Sequence, residues 1–86
     1  MPEKDLDILF DEAYIKCCNI TEPLPPDVML RIYAYYKQAT GINPNYHQSA
    51  NLRNAFKMNA WMQVRHISPI EAKRLYIETV NSIIKP

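Results

Sequence analysis

Apolar residues in the first twenty positions recur at helical spacing. They form one stripe, which consists of Leu6, Leu9, Phe10, Ala13, Tyr14 and Cys17. Asp5 and Asp7 lie near the start of this segment, where carboxylates stabilise the positive end of a helix. The segment TEPLPP then places three prolines in four positions, which ends the first predicted helix.

A second helical segment begins at Pro26 and Asp27, because proline is favoured in the first turn of a helix. It extends to about Thr40, and Gly41 is the residue expected in the left-handed conformation that stops a helix. The Asn-rich stretch INPNYHQS that follows is predicted to be a loop.

Two further helices are predicted in the second half of the chain. The third extends from about Ala50 to Arg65, and one of its sides carries Leu52, Ala55, Phe56 and Asn59. The fourth begins at the capping box from Ser68 to Glu71 and directs six residues inward, namely Ala72, Leu75, Tyr76, Thr79, Val80 and Ile83. The pattern predicts an all-α fold, a four-helix up-down bundle that forms one domain over residues 1–86.

Composition narrows the class of protein. The chain has 86 residues, of which 48% are hydrophobic, and this is enough for a small core. A single glycine excludes glycine-rich phosphate loops and dinucleotide fingerprints. There is no apolar run of about 18 residues, which a membrane-spanning helix would need, and the amino terminus does not resemble a secretory signal. The adjacent Cys17 and Cys18 cannot readily bridge to each other, so a disulfide framework is not expected. We therefore expect a cytoplasmic protein without stable membrane insertion.

The overall charge of +1 conceals a strong asymmetry. Residues 1–27 carry a net charge of −5, whereas residues 28–70 contain no acid and carry five cations, which are Arg31, Lys37, Arg53, Lys57 and Arg65. A block of 43 residues without an acid indicates an anionic ligand of limited extent.

Two tyrosines and a lysine share one face of the second helix. Tyr33, Tyr36, Lys37 and Thr40 lie at positions i, i+3, i+4 and i+7, and such a surface can stack a base and pair with a phosphate. The tyrosines can instead be core residues whose hydroxyls reach the surface. On the third helix, Arg53 and Lys57 form an i, i+4 pair of like charge, typical of either an anion site or a solvated face.

Catalytic and metal sites are not indicated. His47 and His66 lack metal-ligand spacing to the cysteines, and no carboxylate in the acid-free block can act as a general base. Cys17 is expected to be a buried thiol and Cys18 an exposed one. Trp61 is expected to lie in the core.

Three stretches carry a family resemblance. The segment YAYYKQAT, residues 33–40, resembles the signature of the acyl-CoA-binding protein family. The segment KMNAW, residues 57–61, is similar to the lysine-tryptophan-x-alanine-tryptophan motif of that family, and residues 72–80 resemble its last helix. The resemblance extends from Phe10 to Val80 and implies a four-helix bundle that binds long-chain fatty acyl-CoA esters reversibly, without catalysis, cofactor or metal.

The resemblance also implies a site for the coenzyme A head. The 3′-phosphate would be held by Tyr33, Lys37 and Lys57, with Arg53 as a further basic residue. Adenine would pack on Tyr36, and Tyr76 would contact the nucleotide. For the acyl chain, which must be buried to distinguish acyl-CoA from free CoA, we expect contacts with Phe10, Ala13, Met29 and Leu30.

The chain departs from the family pattern at three places. Met58 replaces a tryptophan and is expected to be a packing position. Cys18 replaces a ligand-contacting lysine, and NYHQSAN replaces an arginine-proline-glycine loop. Because of these last two changes, His47 or Arg53 could supply diphosphate contacts. The expected partners are fatty acyl-CoA and acyl-CoA-using enzymes, not nucleic acid, and the expected state is a monomer. The alternative is a helical module that binds nucleic acid or protein through its basic, tyrosine-rich face, although the acidic amino-terminal segment disfavours an extended phosphate backbone.

Overall fold

The computed structural model describes residues 3–20, 22–44 and 52–84. It contains four helices, namely α1 (Glu3–Cys18), α2 (Pro26–Thr40), α3 (Asn54–Val64) and α4 (Pro69–Ile83). No strand occurs in the described ranges. Helix α2 packs against both α3 and α4, and α1 packs against α4. The predicted all-α four-helix fold is confirmed.

The core lies between α1, α2 and α4. Its buried members are Leu6, Phe10, Ala13, Cys17, Met29, Ile32, Tyr33, Ala34, Ala72, Tyr76 and Val80. The apolar stripe of α1 faces this core as expected, with Leu9 and Tyr14 half-buried at its margins. Cys17 is buried and Cys18 is exposed, as predicted.

The helix ends agree with the local signals in the sequence. Pro26 and Pro69 lie in the first turns of α2 and α4. Gly41 has φ 75° and its N–H donates to the Lys37 carbonyl at 2.7 Å, which closes α2. The Ser68 hydroxyl accepts a hydrogen bond from the Glu71 N–H at 3.1 Å, which begins α4.

Helix α3 corrects the sequence-based expectation in two respects. It begins at Asn54, because Arg53 is still extended and supplies no side-chain cap; the predicted start at Ala50 lies outside the described residues. It also buries no side chain completely. Leu52, which precedes the helix, packs against the core, whereas Ala55, Phe56 and Asn59 are exposed because α3 packs mainly on a single helix.

Met58 and Trp61 of α3 were wrongly predicted to be packed in the bundle. Met58 is 59% exposed, so it is not a packing position. Trp61 is only half-buried and lies at the margin of α2 instead of in the core. Both errors have one cause, since the sequence does not show that α3 lies at the periphery of the bundle.

Candidate functional site

Tyr33 and Lys57 meet between α2 and α3. Tyr33 is 7% exposed, and its hydroxyl donates a hydrogen bond to the Asn43 Oδ1 at 3.0 Å. The Lys57 Nζ lies 5.5 Å from the centre of the Tyr33 ring, within the range of a cation–π contact. Burial raises the pKa of the Tyr33 hydroxyl, which keeps it a neutral donor. The structure thus brings two of the predicted phosphate-binding residues together.

Lys37 lies one helical turn further along α2 and contacts a different ring. Its Nζ is 4.4 Å from the centre of the Trp61 ring, and the Arg65 guanidinium carbon is 4.9 Å from the same centre. Two cations therefore share one indole, which has a negative π face that attracts positive charge. Arg65 was not predicted as a site residue.

Gln38 fixes the position of this indole. Its side-chain oxygen accepts a hydrogen bond from the Trp61 Nε1 at 3.2 Å. Its side-chain nitrogen donates to the carbonyl oxygens of Ile67, at 2.6 Å, and Arg65, at 3.2 Å. One glutamine of α2 thereby holds both the end of α3 and the α3–α4 connection, which places Arg65 beside Lys37.

These cations have no carboxylate partner in the part of the chain that the structure describes. By contrast, the Lys73 Nζ of α4 pairs with the Asp7 Oδ1 of α1 at 2.6 Å. The four cations of the α2–α3 side, which we define as the cationic face, are Lys37, Arg53, Lys57 and Arg65. Arg53 is exposed just before α3, with its guanidinium carbon 5.9 Å from the Phe56 ring.

Tyr36 lies in a cluster of four aromatic rings. Its ring stacks on Tyr14, with centres 4.7 Å apart, and on Phe10, with centres 5.5 Å apart, and it is tilted against Tyr76 at 5.8 Å. Burial raises the pKa of Tyr36, as do the nearby Cys18 and Asp11, while a side-chain hydrogen bond with Tyr14 lowers it. Tyr36 is half-buried and so retains accessible surface.

Tyr76 lies beneath this cluster with 0% of its surface exposed. It supports Tyr36 from the core and contacts Phe10 at a ring distance of 5.0 Å. The expected contact between Tyr76 and the nucleotide stays a prediction, and it requires the neighbouring rings to move because no part of Tyr76 reaches the surface.

The predicted acyl-chain residues separate into two groups. Phe10, Ala13 and Met29 are at most 5% exposed and belong to the core, whereas Leu30 is half-buried. Leu30 lines a groove of about 330 Å³ between α2 and α3. We call it the α2–α3 groove; its apolar lining comprises Leu30, Ala34, Phe56, Ala60 and Val64, and its polar lining comprises Asp27, Arg31, Tyr35, Asn59 and Gln63.

Comparison with known sequences identifies the family. Residues 7–80 match the family model described as "Acyl CoA binding protein". The chain belongs to the acyl-CoA-binding protein family. This confirms the resemblance noted from the signature and assigns the chain to a non-enzymatic family whose ligand is acyl-CoA.

Two curated relatives are similar to the chain. Diazepam-binding inhibitor-like 5 from Mus musculus and its counterpart from Rattus norvegicus are each 30% identical over 78 residues, which cover 88% of this chain and 90% of the relative. No solved structure gives a significant match.

The described residues give little support for a metal site or a membrane-spanning helix. They contain no group of three or more His, Cys, Asp or Glu side chains placed to hold a metal ion. His66 is exposed, and His47, with the rest of the altered loop at residues 45–51, lies outside the described residues. No helix of the described part is long and apolar enough to cross a bilayer.

Sequence reasoning missed Arg65, Gln38 and Tyr14. Arg65 follows Trp61 at i+4, so helical spacing alone places the two on one face. Gln38 is part of the family signature, but its bonds to residues 27 and 29 positions later depend on tertiary packing. Tyr14 was correctly assigned to the apolar stripe of α1, but its stack on Tyr36 was not predicted.

Proposed function

We propose that this protein binds medium- to long-chain fatty acyl-CoA esters reversibly and without catalysis, as a monomeric carrier that maintains an intracellular, cytoplasmic pool of acyl-CoA. The observation that carries the proposal is the cationic face, where four cations lie against aromatic rings and have no carboxylate partner among the described residues. Membership of the acyl-CoA-binding protein family supports the same ligand class.

The coenzyme A head carries several negative charges, and the cationic face matches them. Lys57 over Tyr33 and Lys37 over Trp61 would hold the 3′-phosphate together with the Tyr33 hydroxyl, which donates to the Asn43 Oδ1 in this structure. Arg53, just before α3, would serve the diphosphate, and Arg65, which shares the Trp61 ring with Lys37, would add positive charge near the 3′-phosphate. Charge-assisted hydrogen bonds from such groups to phosphate are about twice as strong as neutral ones.

Aromatic rings would hold the adenine. Tyr36 adjoins Lys37 in the chain and keeps part of its ring at the surface, so a purine can stack on it while the phosphate meets the lysine. Tyr76 would contribute from beneath, by keeping the Tyr36 ring in place.

The acyl chain requires an apolar surface that is open to it, and the α2–α3 groove supplies one. Leu30, Phe56 and Val64 line this groove, and Phe56 is 53% exposed, so a hydrocarbon placed there would remove a large apolar surface from water. Each buried methylene contributes about 0.8 kcal/mol. Phe10, Ala13 and Met29 were also expected to contact the chain, but they are buried in the core and are not among the residues that line this groove, so such a contact would require the core to open.

Calorimetric titration with free CoA and with octanoyl-, dodecanoyl- and hexadecanoyl-CoA tests the proposal. Four additional carbons should tighten binding by about 3 kcal/mol, or roughly two hundredfold, until the groove is full. Free fatty acid should bind weakly because it lacks the charged head. Equal affinity for all four CoA ligands would mean that the chain stays in water, and the carrier proposal would fail.

A salt titration separates this proposal from binding to a nucleic-acid strand. A single nucleotide head meets only the few cations of the cationic face, so its affinity should fall gently with salt. A strand that releases many counterions gives a steep slope. Retention of hexadecanoyl-CoA together with acyl-CoA-using enzymes on an affinity column would address the expected enzyme partners.

A further inference from the structure

Tyr36, the expected platform for adenine, is already engaged by rings of the protein itself. Tyr14 stacks on it at 4.7 Å with an angle of 28° between the ring planes, and Phe10 at 5.5 Å with an angle of 18°. Tyr76 meets it at 5.8 Å and 58°. Near-parallel rings at this separation have the geometry of a favourable aromatic pair.

The three neighbours of Tyr36 differ in their freedom to move. Phe10 is 5% exposed and Tyr76 is 0% exposed, so displacing either would open the core. Tyr14 is half-buried and stands at the margin of the α1 stripe. Tyr14 is therefore the ring of the three that can rotate outward while the core stays closed.

Tyr14 is also the neighbour of Tyr36 that has accessible surface of its own. Tyr76 meets Tyr36 from α4 and Phe10 meets it from α1, and both of these rings are buried members of the core. A purine and the Tyr14 ring cannot stack on one region of Tyr36 at the same time.

We propose that Tyr14 is an intramolecular competitor for the adenine of the ligand, a ring that must swing away from Tyr36 before the base can stack there. This proposal rests on the proposed function, since it needs Tyr36 as the platform for the base. Tyr14 thereby lowers the affinity for every ligand that presents the adenine, whether or not the ligand carries an acyl chain.

The size of the effect follows from the strength of an aromatic pair. Loss of such a pair corresponds to about a twofold to tenfold change in an equilibrium constant. Tyr14→Ala should therefore tighten the binding of adenosine 3′,5′-bisphosphate, a probe that carries the base and the phosphate without any chain, by about twofold to tenfold. The matched control is Ile15→Ala, because Ile15 is 60% exposed on α1 and does not belong to the ring cluster. It should leave the affinity unchanged.

Calorimetry on the wild type, Tyr14→Ala, Tyr14→Phe and Ile15→Ala gives the answer. Tyr14→Phe keeps the ring and should stay within about twofold of the wild type, since the stack persists. Unchanged or weaker binding in folded Tyr14→Ala overturns the proposal, as does a gain of equal size in Tyr14→Phe, which would assign the block to the hydroxyl. A wild type that binds neither the bisphosphate nor dodecanoyl-CoA would instead overturn the proposed function, and this proposal with it.

A measurement on the wild type keeps the proposal open to refutation if Tyr14→Ala fails to fold. Nuclear Overhauser contacts between the Tyr14 and Tyr36 rings should be present in the free protein and disappear at saturation with adenosine 3′,5′-bisphosphate. Contacts that persist at saturation would show that Tyr14 does not leave, and the proposal would be wrong.

Discussion

Tyr33 and Tyr36 lie three residues apart on α2 and have contrasting neighbours. Tyr36 packs against rings from α1 and α4, and Lys73, the partner of Asp7, approaches this cluster at Phe10, with its Nζ 5.9 Å from the ring centre. Tyr33 lies beneath a lysine of α3, and one turn away Trp61 lies between Lys37 and Arg65. We call these two regions the α1–α4 side and the α2–α3 side. Their difference shows that the same residue type serves packing or cation binding according to the helix that faces it.

The charges of the two sides differ in the same way. On the α1–α4 side Lys73 is paired with Asp7, and an exposed pair of this kind contributes at most about 1 kcal/mol. On the α2–α3 side the cations of the cationic face have no carboxylate within reach among the described residues, and like charges on one helix repel each other. Because this repulsion between like charges lowers the stability of the fold, we expect that the cations are retained in order to bind an anionic ligand.

The largest expected effect is a loss of stability caused by a substitution on the α1–α4 side. Tyr76→Ala removes a fully buried ring and should lower the free energy of unfolding by about 3–5 kcal/mol, because a large cavity remains in the core. Urea denaturation followed by circular dichroism measures this loss. Phe56→Ala, a change of similar size at a 53% exposed position of the α2–α3 side, is the control and should cost less than about 1 kcal/mol. Equal losses would show that α3 is as firmly packed as α4.

On the α2–α3 side the expected effect is on binding, with the fold unaffected. Lys37→Ala should weaken acyl-CoA binding by about tenfold to a hundredfold, since a charge-assisted hydrogen bond to phosphate contributes roughly 1.5–3 kcal/mol. Calorimetry with dodecanoyl-CoA measures the change. Lys16→Ala, the same substitution at an exposed position of α1, should leave the affinity near that of the wild type.

A ligand without the 3′-phosphate tests the assignment of Lys37. Dodecanoyl-dephospho-CoA should bind the wild type poorly and lose little more in Lys37→Ala, because the group that Lys37 would contact is already missing. If the substitution weakens both ligands equally, Lys37 does not serve the 3′-phosphate, and the α2–α3 side would hold the head in another way.

The sequence predicted best the features that depend on neighbours in the chain. Proline at the starts of α2 and α4, Gly41 at the end of α2 and the Ser68–Glu71 cap act through the local backbone, so their outcome does not depend on tertiary packing. The stripe of α1 was predicted for the same reason, since one helix presents its whole apolar face to the core.

The sequence predicted poorly the features that depend on how many helices surround a residue. Trp61 was expected in the core because large aromatic residues are usually buried, and Met58 was expected to pack because the matching position of the family does. Helix α3 packs mainly on α2, however, and leaves Trp61 half-buried and Met58 largely exposed. The stack of Tyr14 on Tyr36 and the bonds of Gln38 join residues 22 or more positions apart, and no spacing rule within a helix relates them.

Alkaline pH should lower the free energy of unfolding through one tyrosine on each side, Tyr33 on the α2–α3 side and Tyr36 on the α1–α4 side. Burial raises the pKa of Tyr33 and Tyr36 above the ordinary value of 10.0. The unfolded chain therefore ionises first, so the stabilisation is fully present below pH 10 and is lost as the pH rises through the higher pKa of the folded state. Urea denaturation between pH 8 and about 11 should show this decline, and Tyr33→Phe with Tyr36→Phe should make it shallower. A slope identical to that of the wild type would assign the decline to other groups.

The smallest effect is expected at Met58, where the chain departs from the family motif. Met58 is 59% exposed on α3, so a larger side chain meets solvent and displaces no packed atoms. Met58→Trp should therefore change the free energy of unfolding by no more than about 0.5 kcal/mol, the usual range for exposed substitutions. Met62→Trp is the matched control, since Met62 is 58% exposed one turn later on the same helix. Binding should also stay unchanged in both variants, because neither methionine lines the α2–α3 groove. A gain in stability or in acyl-CoA affinity confined to Met58→Trp would show that the tryptophan of the family packs against the bundle or the ligand. In that case α3 would sit closer to α2 in the variant, and the contrast between a firmly packed and a loosely packed side would depend on this single residue.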